Sequence, residues 1–317
     1  MREFPLAGIG KLCQLFGLTR DAFYKNEKRR NIRYLQEALV LSEVRNIKED
    51  QPQLGTEKVY LIIKPFFKEH SIKMGRDKLY DLLRNHALLP KRKRNSPRTT
   101  QSKHRFYKYP NLVKSLKVLR PSFVWTNDIT YIRCGNGFSY LSLTTDAYSK
   151  KIVGWSLQPS LRAEGPLAAL RMALRTIDKR EKKDNLSPTP LIHHSDRGIQ
   201  YCCREYVQLL EKNQIQISMA SESYENPIAE RVNGILKEEL LRPGYPTHKE
   251  AKLAIRKAIQ IYNEKRPHRS LNMMTPAKAH HMTGPLRKRW KKNKYREQAK
   301  SQKNATIKKK IRTEVFI

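Results

Sequence analysis

Residues 123–148 read FVWTNDITYIRCGNGFSYLSLTTDAY, and this stretch decides the fold. It is rich in β-branched and aromatic residues, a composition typical of strands. The pair Asn136-Gly137 divides it into two halves and is a strong signal for a hairpin turn. A third segment of the same kind, KKIVGWSLQ, follows at residues 150–158. We therefore predict three strands that meander.

The chain beyond residue 158 alternates between helical and strand-like patterns. Its segments are GPLAALRMALRTIDKR (165–180), TPLIHH (189–194), REYVQLLEKN (204–213), IQISMA (215–220) and NPIAERVNGILKEELL (226–241). The first, third and fifth favour helices, and in the last Asn226 is placed to cap while Pro227 occupies the first turn. The predicted order is three strands, helix, strand, helix, strand, helix, which is an α/β layout with a mixed sheet.

The charge of the chain is strongly positive and unevenly distributed. The 317 residues carry a formal net charge of +36, far more than solubility requires, so we expect a polyanionic partner such as nucleic acid. Residues 1–120 hold 28 Lys and Arg against 11 Asp and Glu, and residues 286–317 hold 13 basic residues against 2 acidic ones. The central residues 121–285 are more balanced, with 24 basic residues against 16 acidic ones. A ribosomal or chromatin protein would show the same excess, so the charge narrows the class of protein and leaves its activity open.

A helix, a glycine turn and a second helix are predicted near the start, at LCQLFGLTRDAFYKNEKR (12–29). Leu12, Leu15 and Phe16 would form one apolar face, and Thr19 is a suitable N-cap for the second helix. Such a pair can be a helix-turn-helix whose second helix enters the major groove of DNA. An ordinary pair of packed helices is the alternative.

A second helical pair is predicted between residues 57 and 89, at EKVYLIIKPFFKEH and GRDKLYDLLRNHALL. Pro65 would kink or split the first of these helices. The basic stretch 91–120 reads as a linker that touches phosphates or as a charged tether, and the basic tail is similar. The residues predicted to contact DNA in this region are Arg76, Lys78, Lys91, Arg92, Lys93 and Arg94.

Three carboxylates occupy informative places in this layout. Asp128 lies in the middle of the first central strand, where a lone carboxylate is costly unless it is paired or bound to a metal ion. Asp196 follows the strand TPLIHH within HHSDRGIQ (193–200), although Ser-Asp-Arg-Gly also suits a simple turn. Glu230 lies one turn into the last helix. Because the first and fourth strands are neighbours in such a sheet, the three side chains could converge.

Carboxylates suit one kind of metal chemistry in particular. Magnesium is a hard ion that prefers oxygen ligands and keeps several waters. Two such ions about 4 Å apart can activate an attacking oxygen and stabilise the leaving oxygen at a phosphate. Lys237 follows Glu230 by seven residues, two helical turns, so we predict that it lies on the same face and contacts the DNA backbone. Taken alone, Lys237 is more simply a solvated surface lysine.

Five motifs occur in a fixed order along the central and downstream regions. They are WTNDITYI, DAYSKKIVGW, HHSDRGIQY, ENPIAERVNGILKEEL and YNEKRPHRSLNMMTPAKA. Together they resemble the catalytic core of insertion-sequence transposases of the IS3 family (the longer reading-frame product), within the retroviral integrase superfamily. The resemblance covers about residues 121–280. GRDKLYDLLRNHALL leading into KRKR also resembles the helix-turn-helix region that precedes the core in that family.

The resemblance implies a fold and a site. The fold is a ribonuclease-H-like α/β core with a mixed five-stranded sheet, and Asp128, Asp196 and Glu230 match the catalytic metal ligands of the family. The ions would be Mg²⁺ or Mn²⁺, two in number, and Lys237 matches the basic residue that follows the glutamate. We divide the chain accordingly: a helix-turn-helix region at 1–90, a basic linker at 91–120, the catalytic core at 121–283 and a basic tail at 284–317.

The resemblance also implies a reaction and its partners. A DNA transposase would bind the terminal inverted repeats of its element, hydrolyse a phosphodiester to free a 3′-hydroxyl, and join that hydroxyl to target DNA. Its partners would be double-stranded DNA, further copies of the chain on DNA, and a companion helix-turn-helix product of the same element. Two alternatives stay open: a DNA-binding derivative of the fold that has lost catalysis, and a nuclease without strand transfer.

The sequence departs from the family pattern before the last glutamate. Where the family has Asp-Asn-Ala, this chain has Glu225-Asn226-Pro227, and the interval that begins at Asp196 is slightly shorter than usual. Glu225 is thus a rival ligand, and we favour Glu230 because it shares a helix face with Lys237. His193 and His194 are expected to line the strand and the edge of the site.

Other matching residues have no role that the sequence reveals. The downstream signature comprises Tyr262, Asn263, Arg266, Pro267 and His268. Asp146 matches a further acid of the family, but strand phasing does not place it with the metal ligands, so we predict a structural role.

The remaining features concern the compartment. Cys13, Cys134, Cys202 and Cys203 form no CxxC pair and are interpreted as reduced structural thiols. No apolar run approaches the roughly 20 residues of a membrane span, and the first residues lack the apolar core of a signal peptide. We therefore expect a cytoplasmic, nucleoid-associated bacterial protein without a membrane partner.

Overall fold

The computed structural model describes residues 8–90, 106–184, 191–221 and 225–286. The chain divides into two compact units, Met1–Pro97 with Lys237–Leu241 and Arg98–Leu236 with Arg242–Ile317. The predicted contacts of Lys91, Arg92, Lys93 and Arg94 and the basic tail from residue 287 lie outside the described residues.

The first unit is helical. Its helices are α1 (Ile9–Leu15), α2 (Arg20–Asp50), α3 (Thr56–Glu69) and α4 (Arg76–Asn85). The buried core joins the second half of α2 to α3 and α4 through side chains such as Val44, Ile63 and Leu83. This packing gives the second predicted helical pair its tertiary support.

The first predicted pair has the expected local structure but not a buried face. Thr19 caps α2 by accepting a hydrogen bond from the Ala22 backbone N–H at 3.1 Å, and Gly17 turns the chain with a φ of 64°. However, Leu15 is 78% exposed and Phe16 is 72% exposed. The apolar face predicted from them therefore faces solvent.

Pro65 was predicted to kink or split its helix, and the split does not occur. Helix α3 continues through Pro65 from Thr56 to Glu69. Val59, Ile63 and Phe67 are buried at a four-residue spacing on both sides of the proline. This burial offsets the backbone hydrogen bond that proline removes.

The second unit is built on one mixed five-stranded sheet. Its strands are β1 (Val124–Cys134), β2 (Gly137–Asp146), β3 (Ile152–Gln158), β4 (Ile192–Ser195) and β5 (Gln216–Met219), in the spatial order β3-β2-β1-β4-β5. Strand β2 is antiparallel to both β1 and β3, whereas β4 is parallel to both β1 and β5. This is the ribonuclease-H-like topology, so the predicted fold class and element order are confirmed.

Helices cover the sheet and complete its core. They are α5 (Glu164–Asp184), α6 (Ile199–Cys202) and α7 (Arg204–Lys212). Trp125, Leu170 and Tyr206 are among the fully buried side chains of this core. A Cβ atom at Gly154 would lie 2.1 Å from the carbonyl oxygen of Ala169, so only glycine permits α5 to cross β3 this closely.

The chain continues through further helices after β5. They are α8 (Pro227–Ile235), a π-helical segment (Leu236–Leu240), α9 (His248–Glu264), a 3-10 turn (Arg269–Leu271) and α10 (Pro276–Ala279). The single long helix predicted over 226–241 is thus an α-helix that passes into a π-helix. Among the described residues, no helix has the length and apolar character needed to cross a membrane.

Candidate active site

Two of the predicted carboxylates extend from neighbouring parallel strands. The register pairs Trp125 with His193 and Thr126 with His194, so Asp128 and Asp196 each follow two residues after the last pair. Asp196 comes directly after the carboxyl end of β4, where the sequence predicted it. Its Oδ1 accepts a hydrogen bond from the Gly198 backbone N–H at 3.0 Å, so the turn that Ser-Asp-Arg-Gly suggested is also present.

Helix α8 brings the third carboxylate to this place. Pro227 begins the helix, as predicted, and Glu230 lies in its first turn. Asn226 was predicted to cap α8, but its side chain makes no capping bond. Instead its Nδ2 donates to the carbonyl oxygen of Asn127 on β1 at 2.9 Å, which attaches the start of α8 to the strand that carries Asp128.

The three carboxylates interact electrostatically. The pKa of Asp128 is raised from 3.8 to about 7, chiefly by burial and then by the negative charges of Asp196 and, to a smaller extent, Glu230. Hydrogen bonds from the Ile129 backbone and the Asn233 side chain act in the opposite direction. At neutral pH the region thus holds concentrated negative charge that a cation would stabilise.

Asn233 is a site residue that the sequence analysis missed. It lies on α8, three residues after Glu230, and is 6% exposed. Its Nδ2 donates to Oδ2 of Asp128 at 2.7 Å, a short bond from an amide to a carboxylate. The sequence does contain a signal for this residue. Asn233 is a polar residue at helical spacing from Glu230, and it lies on a face of α8 that also buries Ala229 and Val232.

The described side chains of the site are not arranged as a complete set of metal ligands. Within the four described ranges, no group of three or more His, Cys, Asp or Glu side chains is arranged so that it could hold a metal ion. The donor chemistry nevertheless fits a hard divalent cation, because all three groups are carboxylates and the field of two of them bears on the third.

Aromatic and histidine side chains form the buried wall behind the carboxylates. Burial raises the pKa of Tyr201 well above its ordinary value, with contributions from Tyr206, Asp128 and Asp196. His193 Nε2 lies 2.8 Å from the Tyr206 hydroxyl, and burial, with the neighbouring His194, lowers the pKa of His193 to about 3. The neutral imidazole of His193 is therefore part of the core.

Glu225, the rival glutamate, is occupied by loop contacts. Its Oε2 accepts hydrogen bonds from Asn111 Nδ2 at 3.0 Å and from the Ser221 backbone N–H at 2.8 Å. Its Oε1 lies 3.8 Å from Lys114 Nζ. Glu225 thus joins two loops through its carboxylate, which favours Glu230 as the third member of the site.

The predicted DNA-contacting cations that the structure describes are all exposed. Arg76, at the start of α4, pairs with Asp77 at 2.9 Å, and Lys78 follows it. Lys237 lies in the π-helical segment, so its seven-residue interval from Glu230 is not two regular α-helical turns. The predicted interval of two regular helical turns was therefore wrong. A shared helix face for Glu230 and Lys237 stays a prediction.

Asp146 lies at the end of β2 in a fully satisfied pocket. Its Oδ2 accepts from the Ser122 backbone N–H at 2.7 Å, and its Oδ1 accepts from the Ser149 backbone N–H at 2.7 Å and the Ser149 hydroxyl at 2.6 Å. His280 Nδ1 lies 3.8 Å from Oδ1. Burial opposes ionisation, but His280 and the bonds from Ser149 outweigh it and lower the pKa of Asp146.

The downstream signature attaches α9 to the turn that follows Asp146. Asn263 accepts from the Ile152 backbone N–H and donates to the Ile152 carbonyl oxygen, both at 3.0 Å. The Tyr262 hydroxyl donates to the Lys150 carbonyl oxygen, also at 3.0 Å. Arg266 is 1% exposed, and its Nη1 lies 3.1 Å from His268 Nε2. These contacts give the signature a structural role.

Comparison with known proteins agrees with this geometry. A family model described as integrase core domain matches residues 119–224, and a second model with the same description matches residues 212–276. The insertion element IS600 31 kDa protein of Shigella sonnei is 31% identical over 277 residues, which span 84% of this chain and 96% of that protein.

Two named transposases are also similar to the chain. The transposase for insertion sequence element IS904 of Lactococcus lactis is 32% identical over 236 residues, or 68% of this chain and 90% of that protein. Transposase InsF for insertion sequence IS3A of Escherichia coli is 35% identical over 123 residues, or 38% of this chain and 40% of that protein. The chain therefore belongs to the IS3 family of insertion-sequence DDE transposases, with an integrase core domain as its catalytic unit.

Proposed function

We propose that the chain cleaves DNA at the ends of its insertion element and joins the freed 3′-hydroxyl to target DNA, using Asp128, Asp196 and Glu230. The observation that carries the proposal is the electrostatic coupling of these carboxylates, which come from β1, the end of β4 and α8. The mutual repulsion of three acids destabilises the fold unless something offsets it. A bound cation would offset this repulsion.

The proposed cofactor is Mg²⁺ or Mn²⁺, with Asp128, Asp196 and Glu230 as the ligands of two ions. When bound, the ions supply charge stabilisation for the attacking and leaving oxygens of a phosphodiester. The oxygen donors and the raised pKa of Asp128 support this choice, since a bound cation and a proton compete for the same carboxylate.

The protein's own part in the reaction is mainly positioning. Strands β1 and β4 hold two carboxylates in register, and α8 holds the third over β1. Tyr201 and His193 are both buried, and the charges of Asp128 and Asp196 act on Tyr201, so we propose that these side chains exclude water from the inner side of the carboxylates. Hydrolysis and strand transfer are both displacements at phosphorus, so one such site serves both steps without a covalent protein intermediate.

DNA binding is proposed for the helical region and the basic segments. Arg76 and Lys78 lie in the first turn of α4, and we propose that α4 acts as the second helix of a helix-turn-helix, with these two cations contacting DNA. The chain's charge of +36 suits the phosphates of element ends and target DNA. Two ends must be joined in one event, so we propose an assembly of several copies on DNA, aided by a companion product of the element, in the bacterial cytoplasm.

The test is cleavage and joining of a labelled element end in the presence of Mg²⁺. We expect Glu230→Gln to reduce both steps by at least about 10²-fold while end binding is retained. Glu225→Gln is the matched control, because it makes the same chemical change on the glutamate that serves the loops.

The remaining outcomes separate the other functions. Cleavage without joining would indicate a nuclease. End binding without cleavage, even when the companion product is added, would indicate an inactive derivative. Loss of cleavage in Glu225→Gln with full activity in Glu230→Gln would overturn our assignment of the third ligand.

A further inference from the structure

One polar side chain in the site is explained by neither the metal ligands nor the fold. Asn233 lies on the buried face of α8, where an uncompensated amide is costly. Its Nδ2 donates to Asp128 Oδ2 at 2.7 Å. Its Oδ1 is buried and has no hydrogen-bond partner among the described residues. The orientation of the amide is therefore set by Asp128 and not by a second bond of its own.

The position of Asn233 on α8 connects it with Glu230. Residues three apart on a helix lie on one face, so the helix presents a carboxylate and an amide towards β1 together. At the start of the same helix Asn226 bonds the backbone of Asn127, the residue before Asp128. The two asparagines thus hold adjacent residues of β1, but only Asn233 touches a carboxylate.

An amide is suited to this position because it is an uncharged donor. Asp128 stands in the field of Asp196 and Glu230, so its side chain is pushed away from them unless something holds it. A lysine or arginine would hold it, but its positive charge would also take the place of a cation. An aspartate would add to the repulsion. The amide can fix the carboxylate and leave the negative charge of the site intact.

We propose that Asn233 is a positioning residue, which holds the Asp128 carboxylate in the orientation needed for a divalent cation. The inference rests on the proposed function, since it assumes that Asp128 is a ligand. In this role Asn233 acts through Asp128, the carboxylate that its amide contacts. Loss of the amide should therefore weaken cation binding first, and cleavage as a consequence.

The experiment measures cation binding separately from cleavage. Mn²⁺ binding to the full chain would be followed by calorimetry, and cleavage of an element end would be titrated with Mg²⁺. For Asn233→Ala and for Asn233→Leu, which is uncharged and similar in size to asparagine, we expect the Mn²⁺ dissociation constant to rise roughly 10-fold or more. The Mg²⁺ concentration for half-maximal cleavage should rise in parallel, whereas the affinity for the DNA end should not change.

Asn263→Ala is the control, because it removes a structural asparagine amide that bonds the Ile152 backbone and no carboxylate. We expect it to lower thermal stability and leave the Mn²⁺ dissociation constant within about 2-fold of the wild type. If both Asn233 variants lose stability but keep the wild-type Mn²⁺ affinity, Asn233 is a structural residue and the proposal is overturned. Should Asn233→Ala fail to fold, Asn233→Leu decides by the same measurement.

Failure of the proposed function would look different. A wild-type chain that binds Mn²⁺ but never cleaves DNA would contradict the transposase activity, and the Asn233 proposal would still be judged by binding. A wild-type chain that binds no Mn²⁺ would overturn the metal site and the role of Asn233 with it.

Discussion

Asp128 and Asp146 are aspartates on adjacent strands, the first half-buried and the second fully buried, and their surroundings shift their pKa values in opposite directions. Asp146 accepts three hydrogen bonds and faces His280, so its pKa is lowered. Asp128 stands in the field of two further carboxylates, and its pKa is raised to about 7 by partial burial and by their charges. One acid is satisfied by the protein alone, whereas the other leaves a charge that the protein does not neutralise.

We infer from this difference that Asp146 serves the fold and that Asp128 serves the proposed cation site. A buried carboxylate that serves the fold is expected to have its donors built in, since an unpaired charge would destabilise the folded state. A carboxylate that serves a ligand is expected to remain short of donors until the ligand binds. In this molecule the two kinds occur on neighbouring strands of one sheet, which makes the comparison testable by the same substitution.

The largest expected effect is on the structural acid. Asp146→Asn should destabilise the folded protein by about 3 kcal/mol at pH 7, because it leaves Ser149 and His280 without their anionic partner. The folded-state pKa of Asp146 is lowered, so its contribution to stability is present above the unfolded pKa and is lost as the pH falls through the folded value.

Chemical denaturation across the acidic range would measure this contribution. The difference between wild type and variant should shrink below about pH 4. The exposed Asp77→Asn serves as the control. If the Asp146→Asn variant were as stable as the wild type at pH 7, the Asp146 carboxylate would not be a structural acid.

The same change at the functional acid should have the opposite sign. Asp128→Asn is expected to stabilise the metal-free protein by about 2 kcal/mol at pH 8, because it removes one of three repelling charges. The folded-state pKa is raised here, so the folded protein holds an extra proton between about pH 4 and pH 7, and wild-type stability falls as the pH rises through that window.

Thermal unfolding with and without Mg²⁺ would check this prediction. The advantage of the variant should be small near pH 4, largest above pH 7, and reduced by Mg²⁺, which stabilises only the wild type. If Asp128→Asn instead destabilised the protein at every pH, the carboxylate would be a structural group.

The smallest effect concerns the signature next to the structural acid. Tyr262→Phe removes the hydroxyl that bonds Lys150, in the turn after Asp146, and should cost about 1 kcal/mol. Denaturant unfolding would give the value, and the half-maximal Mg²⁺ concentration for cleavage should stay unchanged. A shift in that Mg²⁺ concentration would mean that the downstream signature influences the proposed metal site and does not have a structural role alone.

The parts of the structure that follow from local chemistry could be predicted. The meander around Asn136-Gly137 and the position of Asp196 after β4 depend on strand composition and turn residues, which the sequence displays. The pairing of β1 with β4 followed from the order of elements. Asp128 was singled out because an acid within an apolar strand needs a partner, whereas Glu230 was singled out by its place in the last helix and by the family resemblance; the catalytic role of both stays a prediction.

The missed features depend on contacts between distant residues. The bond from Asn233 to Asp128 requires β1 to lie beside α8, which local sequence does not reveal. For the same reason Asn226, which was predicted to cap α8, bonds the β1 backbone instead. The π-helical segment after Ile235 has no signature in the sequence that distinguishes it from an α-helix. The continuity of α3 through Pro65 likewise depends on burial that only the packed helices provide.

The amide of Asn263 has a further consequence for solubility. Strand β3 is an outer strand of the sheet, and the amide pairs with both backbone groups of Ile152 as a neighbouring strand would. At the opposite edge β5 has four residues, and its Met219 backbone N–H donates to the Pro110 carbonyl oxygen at 3.2 Å. At each edge the chain itself thus occupies backbone groups that another strand would need, which hinders strand addition between copies and the aggregation that follows from it.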